Sequence, residues 1–254
     1  MFGKTFKIVL ERCKVKASPF LFRFFRSTRA RVFLKKIYKG LKSKITLYPI
    51  SIPSITVDPS LDFLLLELPP RYLPMMPNGI GYVHNILKKT DIHFQTIDLN
   101  VIAYHQFHSE RILEKKTITT KGGYEMKEDP WENTNSSEWE HPEVVEYFLQ
   151  KLDDLIRGIA FCQPKAVGIS VQANNRQLAN ALIKVLRIRV PEVAIVIGGY
   201  DCVYHYVGPY LVPDFDYMAI GDTELTLEPL VKALAGGERP GDLPGIISRY
   251  DTPH

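Results

Sequence analysis

The chain has 254 residues, 45% of them apolar and 24% charged, which allows one ordinary core plus an extension and excludes a disordered polymer. Its formal charge of +4 is unevenly spread: residues 1–44 hold 14 Lys or Arg against one acid, Glu11, a net +13 that leaves −9 on the remainder. This split excludes a uniformly basic nucleic-acid binder, so no specific nucleic acid is expected, and describes a basic arm on an acidic domain.

Within the arm, Phe33, Leu34, Ile37, Tyr38 and Leu41 recur at helical spacing with Lys35, Lys36, Lys39 and Lys42 between them. Two readings stand: a helix on an anionic membrane surface or partner, or one packed on the domain with its lysine stems snorkelling into water. Pro49, Pro53 and Pro59 make residues 48–60 an extended linker. The expected division is therefore an extension over 1–60 and a domain over 61–254. No stretch approaches the roughly 18 to 20 apolar residues that cross a bilayer, and the start lacks the apolar run of a signal peptide. The expected location is cytoplasmic, with the arm offering peripheral membrane contact.

From residue 61 strands alternate with helices. The apolar run 63–68, stopped by Pro69-Pro70, has the character of a buried parallel strand. A helix over 80–89, a strand over 93–98 and a helix over 101–114 follow. Residues 117–142 are polar and turn-rich and are expected to form an inserted loop. Then come one long helix over 142–161, a strand over 166–171, a helix over 176–189 and a strand over 193–197. A strand over 217–220, a helix over 225–235 and a sixth strand over 246–248 close the series. This alternation demands right-handed crossovers. The expected fold class is α/β: an open, doubly wound, Rossmann- or flavodoxin-like, mainly parallel sheet with helices on both faces.

Such sheets bind ligands at the carboxyl ends of their strands, and four groups fall there. Asn78, Gly79 and Gly81 open the first helix, where small residues let backbone amides approach a polar ligand. Ser170, Gln172, Ala173 and Asn174 follow the third strand, and their hydroxyl and amides can bond a heterocycle or amide without adding charge. A helix N-cap at Asn174 or Asn175 explains part of that stretch equally well. Gly198, Gly199 and Tyr200 follow the fourth strand, where paired glycines suit either a close ligand or a tight turn. Gly221, Asp222 and Glu224 follow the fifth strand, and the two acids also suit a helix start. Asp98, ending the second strand, is counted with these groups.

The order of these groups carries more than any one of them. Ser170 precedes Gly198 by 28 positions, which resembles the Ser-x-Leu and Gly-Gly pair of cobalamin-binding domains, although Val171-Gln172 departs from Ser-x-Leu. Gly168-Ile169-Ser170, Gly198-Gly199-Tyr200-Asp201, Gly221-Asp222-Thr223-Glu224 and Leu243-Pro244-Gly245-Ile246 follow one another. That succession resembles the amino-terminal half of cobalamin-dependent radical S-adenosylmethionine proteins, where the third motif is usually Gly-Glu-x-Glu. The resemblance covers about 190 residues and leaves residues 1–60 outside it. It implies cobalamin as cofactor, its nucleotide tail lying beside the sheet along Ser170, Gly198 and Gly199.

Two departures qualify it. The loop 69–81 has no histidine, so the Asp-x-His-x-x-Gly cobalt ligand of methionine-synthase-type domains is missing, and His84 lies too late to replace it. The resemblance implies cobalamin held base-off, its tail inserted beside the sheet, and loop 69–81 offers no imidazole to replace the base on the metal. Cys13, Cys162 and Cys202 do not form the close triplet that binds the radical enzymes' cluster, so no iron–sulfur cluster is expected in this chain. The chain stops where the radical barrel would begin. The expectation is a cobalamin-binding module, not catalytic alone, whose radical domain is missing or supplied in trans. The rival reading is an enzyme or sensor that binds a nucleotide, flavin or sugar nucleotide on the same fold. His105 and His108 are read as solvated, not as metal ligands.

Overall fold

A computed structural model describes residues 51–74, 76–113, 117–132, 137–202, 212–221, 223 and 225–251. The helical pattern expected in the basic arm lies outside the described residues.

The first strand, β1 (Phe63–Glu67), is buried along its whole length. After the cis Pro69-Pro70 pair come α1 (Asn78–Leu87), β2 (Phe94–Asp98) and α2 (Leu99–Leu113). A small antiparallel hairpin, β3 (Ile118–Thr119) with β4 (Glu125–Met126), leads to a 3-10 turn at Ser137–Glu140. Then follow α3 (Pro142–Lys151), α4 (Asp153–Cys162), β5 (Ala166–Ser170), α5 (Arg176–Arg189) and β6 (Ala194–Gly198). A 3-10 turn (Tyr200–Cys202), β7 (Tyr217–Ala219), α6 (Leu227–Ala235) and β8 (Ile246–Ser248) complete the described chain.

The main sheet has the order β2-β1-β5-β6-β7-β8. Its first five strands are mutually parallel, the flavodoxin-like arrangement. β8 runs antiparallel to β7 at the edge, a departure from an all-parallel series. Side chains alternate across the sheet as strand geometry requires. Leu64, Leu66, Val167, Ile169, Ile195 and Ile197 face the layer built by α2 to α5. Phe63, Leu65, Ala166, Ala194 and Val196 face α1 and α6. The doubly wound α/β architecture is therefore present. Among the described residues, no helix is long and apolar enough to cross a membrane.

Three expectations change in detail. The long helix over 142–161 is two helices, broken at Leu152 (φ −90°, ψ 7°). Asp153 and Asp154 favour a new helix start there, since acids stabilise the positive end of the helix dipole. The inserted stretch 117–142 is not merely a loop, because it buries Trp131 and Trp139 against Phe107 and Phe148. The stretch ahead of β1 is tied to the domain: Ile55 is buried, Val57 packs against α4 at Gly158, and Gln95 bonds Thr56 and Asp58.

Candidate functional site

Strand order reverses between β1 and β5, and the crevice outside the carboxyl ends of the strands at such a point takes the ligand in open α/β folds. Pairing register puts four strand ends in one row: Asp98 beside Glu67, Glu67 beside Ser170, Ser170 beside Gly198. This row would be the floor of a candidate site.

Glu67 is its chemical centre and was not singled out from the sequence. It is only 2% exposed. Burial pushes its carboxyl up to about 7; the Ser170 hydrogen bond opposes this, the Asp98 charge adds to it, and Arg71 opposes it. Arg71 Nη2 bonds Asp98 Oδ2 at 3.0 Å, and its Nε lies 3.8 Å from Glu67 Oε1. The Gln172 amide donates to Glu67 Oε1 at 3.4 Å. The floor thus offers a hydroxyl, an amide and a carboxyl near neutrality, with one guanidinium at its side. The signal in the sequence was a single acid closing an apolar strand just before a proline pair.

Asn175 joins the two halves of the crevice. Although it occupies the N-cap position of α5, its side chain does not cap the helix. Its Nδ2 donates to Ser170 O at 3.0 Å and Leu68 O at 3.4 Å, and its Oδ1 accepts from the Gln172 amide at 2.9 Å. It is fully buried, so these bonds fix the loop after β5 against the end of β1. Gln172 and Asn174 beside it are half-buried, and Ala173 is exposed.

The glycines separate into two kinds. Gly199 has φ +113°, and a Cβ there would lie 2.7 Å from Val171 O. Its missing side chain serves the close crossing of β5 and β6, where Val171 N also bonds Gly198 O at 2.7 Å. Gly79, Gly81 and Gly221 have nothing within 4 Å of a built Cβ, and Gly198 meets only Ala219 at ordinary distance. Space is therefore open at those four positions. Asn78, Gly79 and Gly81 lie in the first turns of α1, which has no side-chain cap and no acid in its first turn. Gly221, with φ +67°, follows β7. Asp222 and Glu224 lie outside the described residues.

Several apolar side chains in the loops after the strands are exposed: Tyr72 and Met76 after β1, Tyr200 after β6 and Leu225 after β7, Leu225 by 88% and Met76 by 78%. Parallel topology sends all these loops to one edge of the sheet. His84 does not belong to it: its Nδ1 pairs with Thr96 Oγ1 at 2.9 Å and its ring packs edge-on against Phe94. His108 Nε2 lies 2.9 Å from Asp129 Oδ2, and no group of three metal-ligating side chains occurs among the described residues. Cys162, half-buried, donates to Val57 O, while burial pushes the Cys202 thiol up to about 12. A separate groove of about 620 Å³ runs between the β3–β4 hairpin and α3, and none of its lining residues comes from the strand ends of the main sheet.

No family model matches the chain, and no curated protein matches it. Among solved structures it is similar to the radical S-adenosylmethionine methyltransferase TsrM from Kitasatospora setae. To the form with cobalamin and a 4Fe-4S cluster bound, the identity is 15% and the TM-score 0.42 over 74% of this chain. To the form with tryptophan substrate and the analogue aza-SAM, the identity is 16% and the TM-score 0.42 over 74% of this chain. The chain spans less than a third of that protein, 29% and 28% of the two chains.

Proposed function

We propose that the α/β domain binds cobalamin at the carboxyl edge of its sheet, as a module related to those of cobalamin-dependent radical S-adenosylmethionine methyltransferases. The observation that carries this reading is the Asp98–Glu67–Ser170–Gly198 row at the strand-order reversal, bordered by open glycines and by exposed apolar side chains. Cobalamin joins a broad apolar ring to a periphery of amides. Ser170 and Gln172 offer such a periphery a hydroxyl and an amide. Tyr72, Met76, Tyr200 and Leu225 suit the ring. The open space at Gly79, Gly81, Gly198 and Gly221 would leave room for the bulk of the cofactor.

When bound, the cofactor would supply a cobalt centre able to carry a methyl group. This chain's own residues would bind and orient it. Neither loop 69–81, which contains no histidine, nor His84, which is held against Thr96 and Phe94, would supply an imidazole to the metal; the base-off form is what the motif resemblance implies.

The test is titration of the purified protein with hydroxocobalamin, followed by electron paramagnetic resonance after reduction. Stoichiometric binding and cobalt lines free of nitrogen triplet splitting are expected. Absence of binding would overturn the reading, and triplets lost on His84→Ala would overturn the axial assignment alone. The uncapped start of α1 favours a second reading, a phosphate-bearing flavin or nucleotide. Binding of flavin mononucleotide in place of cobalamin would establish it.

A further inference from the structure

The inserted stretch 117–140 has no part in the floor, yet it reaches the floor through one buried side chain. Asn100, at 0% exposure, sits in the first turn of α2. Its Oδ1 accepts two hydrogen bonds, from Trp131 Nε1 at 2.9 Å and from the Arg71 backbone amide at 2.8 Å. Its Nδ2 donates to the Arg71 carbonyl at 3.2 Å. A single amide therefore clamps both backbone groups of Arg71 and ties them to an indole of the insertion. The insertion is pinned in turn: Asp129 accepts from the Trp131 backbone at 3.0 Å and lies between His108 and Arg111 of α2. Tyr104, Phe107, Trp139 and Phe148 pack around the Trp131 ring.

We infer that Trp131 and Asn100 are positioning residues for the loop after β1, so that the insertion sets where Arg71, Tyr72 and Met76 stand over the ligand crevice. The chemistry of the partners supports this. Asn is the side chain that both accepts twice and donates at this spot. Aspartate would lose the donor and bring a buried charge, and leucine would strip three buried groups of their partner. Arg71 then carries the position to the floor, since its guanidinium bonds Asp98 and lies beside Glu67. This inference rests on the proposed cobalamin site for its functional meaning, but not for its structural test.

The experiment compares Trp131→Phe with Trp139→Phe in the full chain. Each keeps an aromatic ring and deletes one indole N–H. The Trp131 N–H bonds Asn100, whereas the Trp139 N–H bonds Pro130 O at 2.8 Å, within the insertion. Amide hydrogen exchange at residues 71–76 and hydroxocobalamin affinity are measured for both. For Trp131→Phe, exchange in the loop should rise and affinity fall by about fivefold each, the worth of one ordinary hydrogen bond. For Trp139→Phe, which disturbs the packing around Trp131 but keeps its bond to Asn100, both changes should be clearly smaller. Equal effects in the two variants would reduce the matter to general loosening and overturn the inference. Unchanged exchange at Arg71 in Trp131→Phe would also overturn it, as would faster exchange with unchanged affinity. If the parent binds no cobalamin, the proposed function fails while loop exchange still decides the positioning role.

Discussion

A carboxyl that closes an apolar strand must find a cation or keep its proton, and Glu67 is arranged for the second course at acid pH. Arg71 stands 3.8 Å away and spends its best contact on Asp98, so burial outweighs it. A folded-state value raised from 4.5 to about 7 means that Glu67 contributes stability fully below pH 4.5 and loses it as pH climbs to about 7. The loss is about 3 kcal/mol, spread over that window. Glu67→Gln should flatten the decline in unfolding temperature between pH 4.5 and about 7 and leave the variant more stable than the parent above it. A parallel decline in both proteins would show that other groups titrate there. The glycines provide a second residue-scale contrast. Gly199→Ala forces a Cβ onto Val171 O at φ +113°, and a cost of about 2 kcal/mol is expected. Gly79→Ala fills open space in a helix and should stabilise by about 0.5 to 1 kcal/mol while weakening cobalamin binding. Chemical denaturation with a parallel binding titration checks both; a Gly79→Ala protein that binds as well as the parent would remove that glycine from the site.

At the scale of elements, the strands were legible because a buried parallel strand is written as a short apolar run, as in Phe63–Glu67 and Ala194–Gly198. Positions at the carboxyl edge followed from the strand ends. The break at Leu152 was not legible, because an apolar residue between two amphipathic helices continues the pattern of both. Nor was the insertion: Trp131 and Trp139 are two aromatic residues in a polar stretch, and their burial depends on partners in α2 and α3 far off in sequence. Arg71 and Asn100 escaped notice for the same reason, since their roles lie in each other. The antiparallel edge strand β8 depends on a similar long-range device. The Asp216 side chain is 3% exposed, accepts from Arg187 at 2.7 Å, Tyr250 Oη at 3.2 Å and the Ile195 amide at 2.7 Å, and forms an ion pair with Arg249 at 3.2 Å. It thereby fastens β6, α5 and the turn after β8 to the start of β7. Asp216→Asn should cost about 1 to 3 kcal/mol, because it removes the counter-charge from the part-buried Arg187 guanidinium, while Arg249 stays exposed to water. Thermal unfolding measures it, and a loss below about 1 kcal/mol, the range of an exposed pair, would deny Asp216 this role.

For the molecule as a whole, charge is unevenly divided along the chain. Among the described residues, two apolar clusters lie one on each face of the sheet. Residues 1–44 carry +13 and the remainder −9, so removing them reverses the sign of the protein's net charge from +4. The expectation for the arm is contact with an anionic surface or partner, with no share in the proposed cobalamin site. Deleting 1–44 should therefore leave the unfolding temperature and hydroxocobalamin affinity unchanged while abolishing attachment to vesicles rich in phosphatidylserine. Attachment of the full chain should weaken steeply with salt, because the screening length shrinks from about 10 Å at 0.1 M to about 3 Å at 1 M. Cosedimentation with neutral and anionic vesicles across that range separates charge from apolar anchoring. Attachment that survives 1 M salt would mean that Phe33, Leu34 and Ile37 carry it by burying apolar surface. A deletion that unfolds the domain would mean instead that the arm's aromatic residues belong to the core.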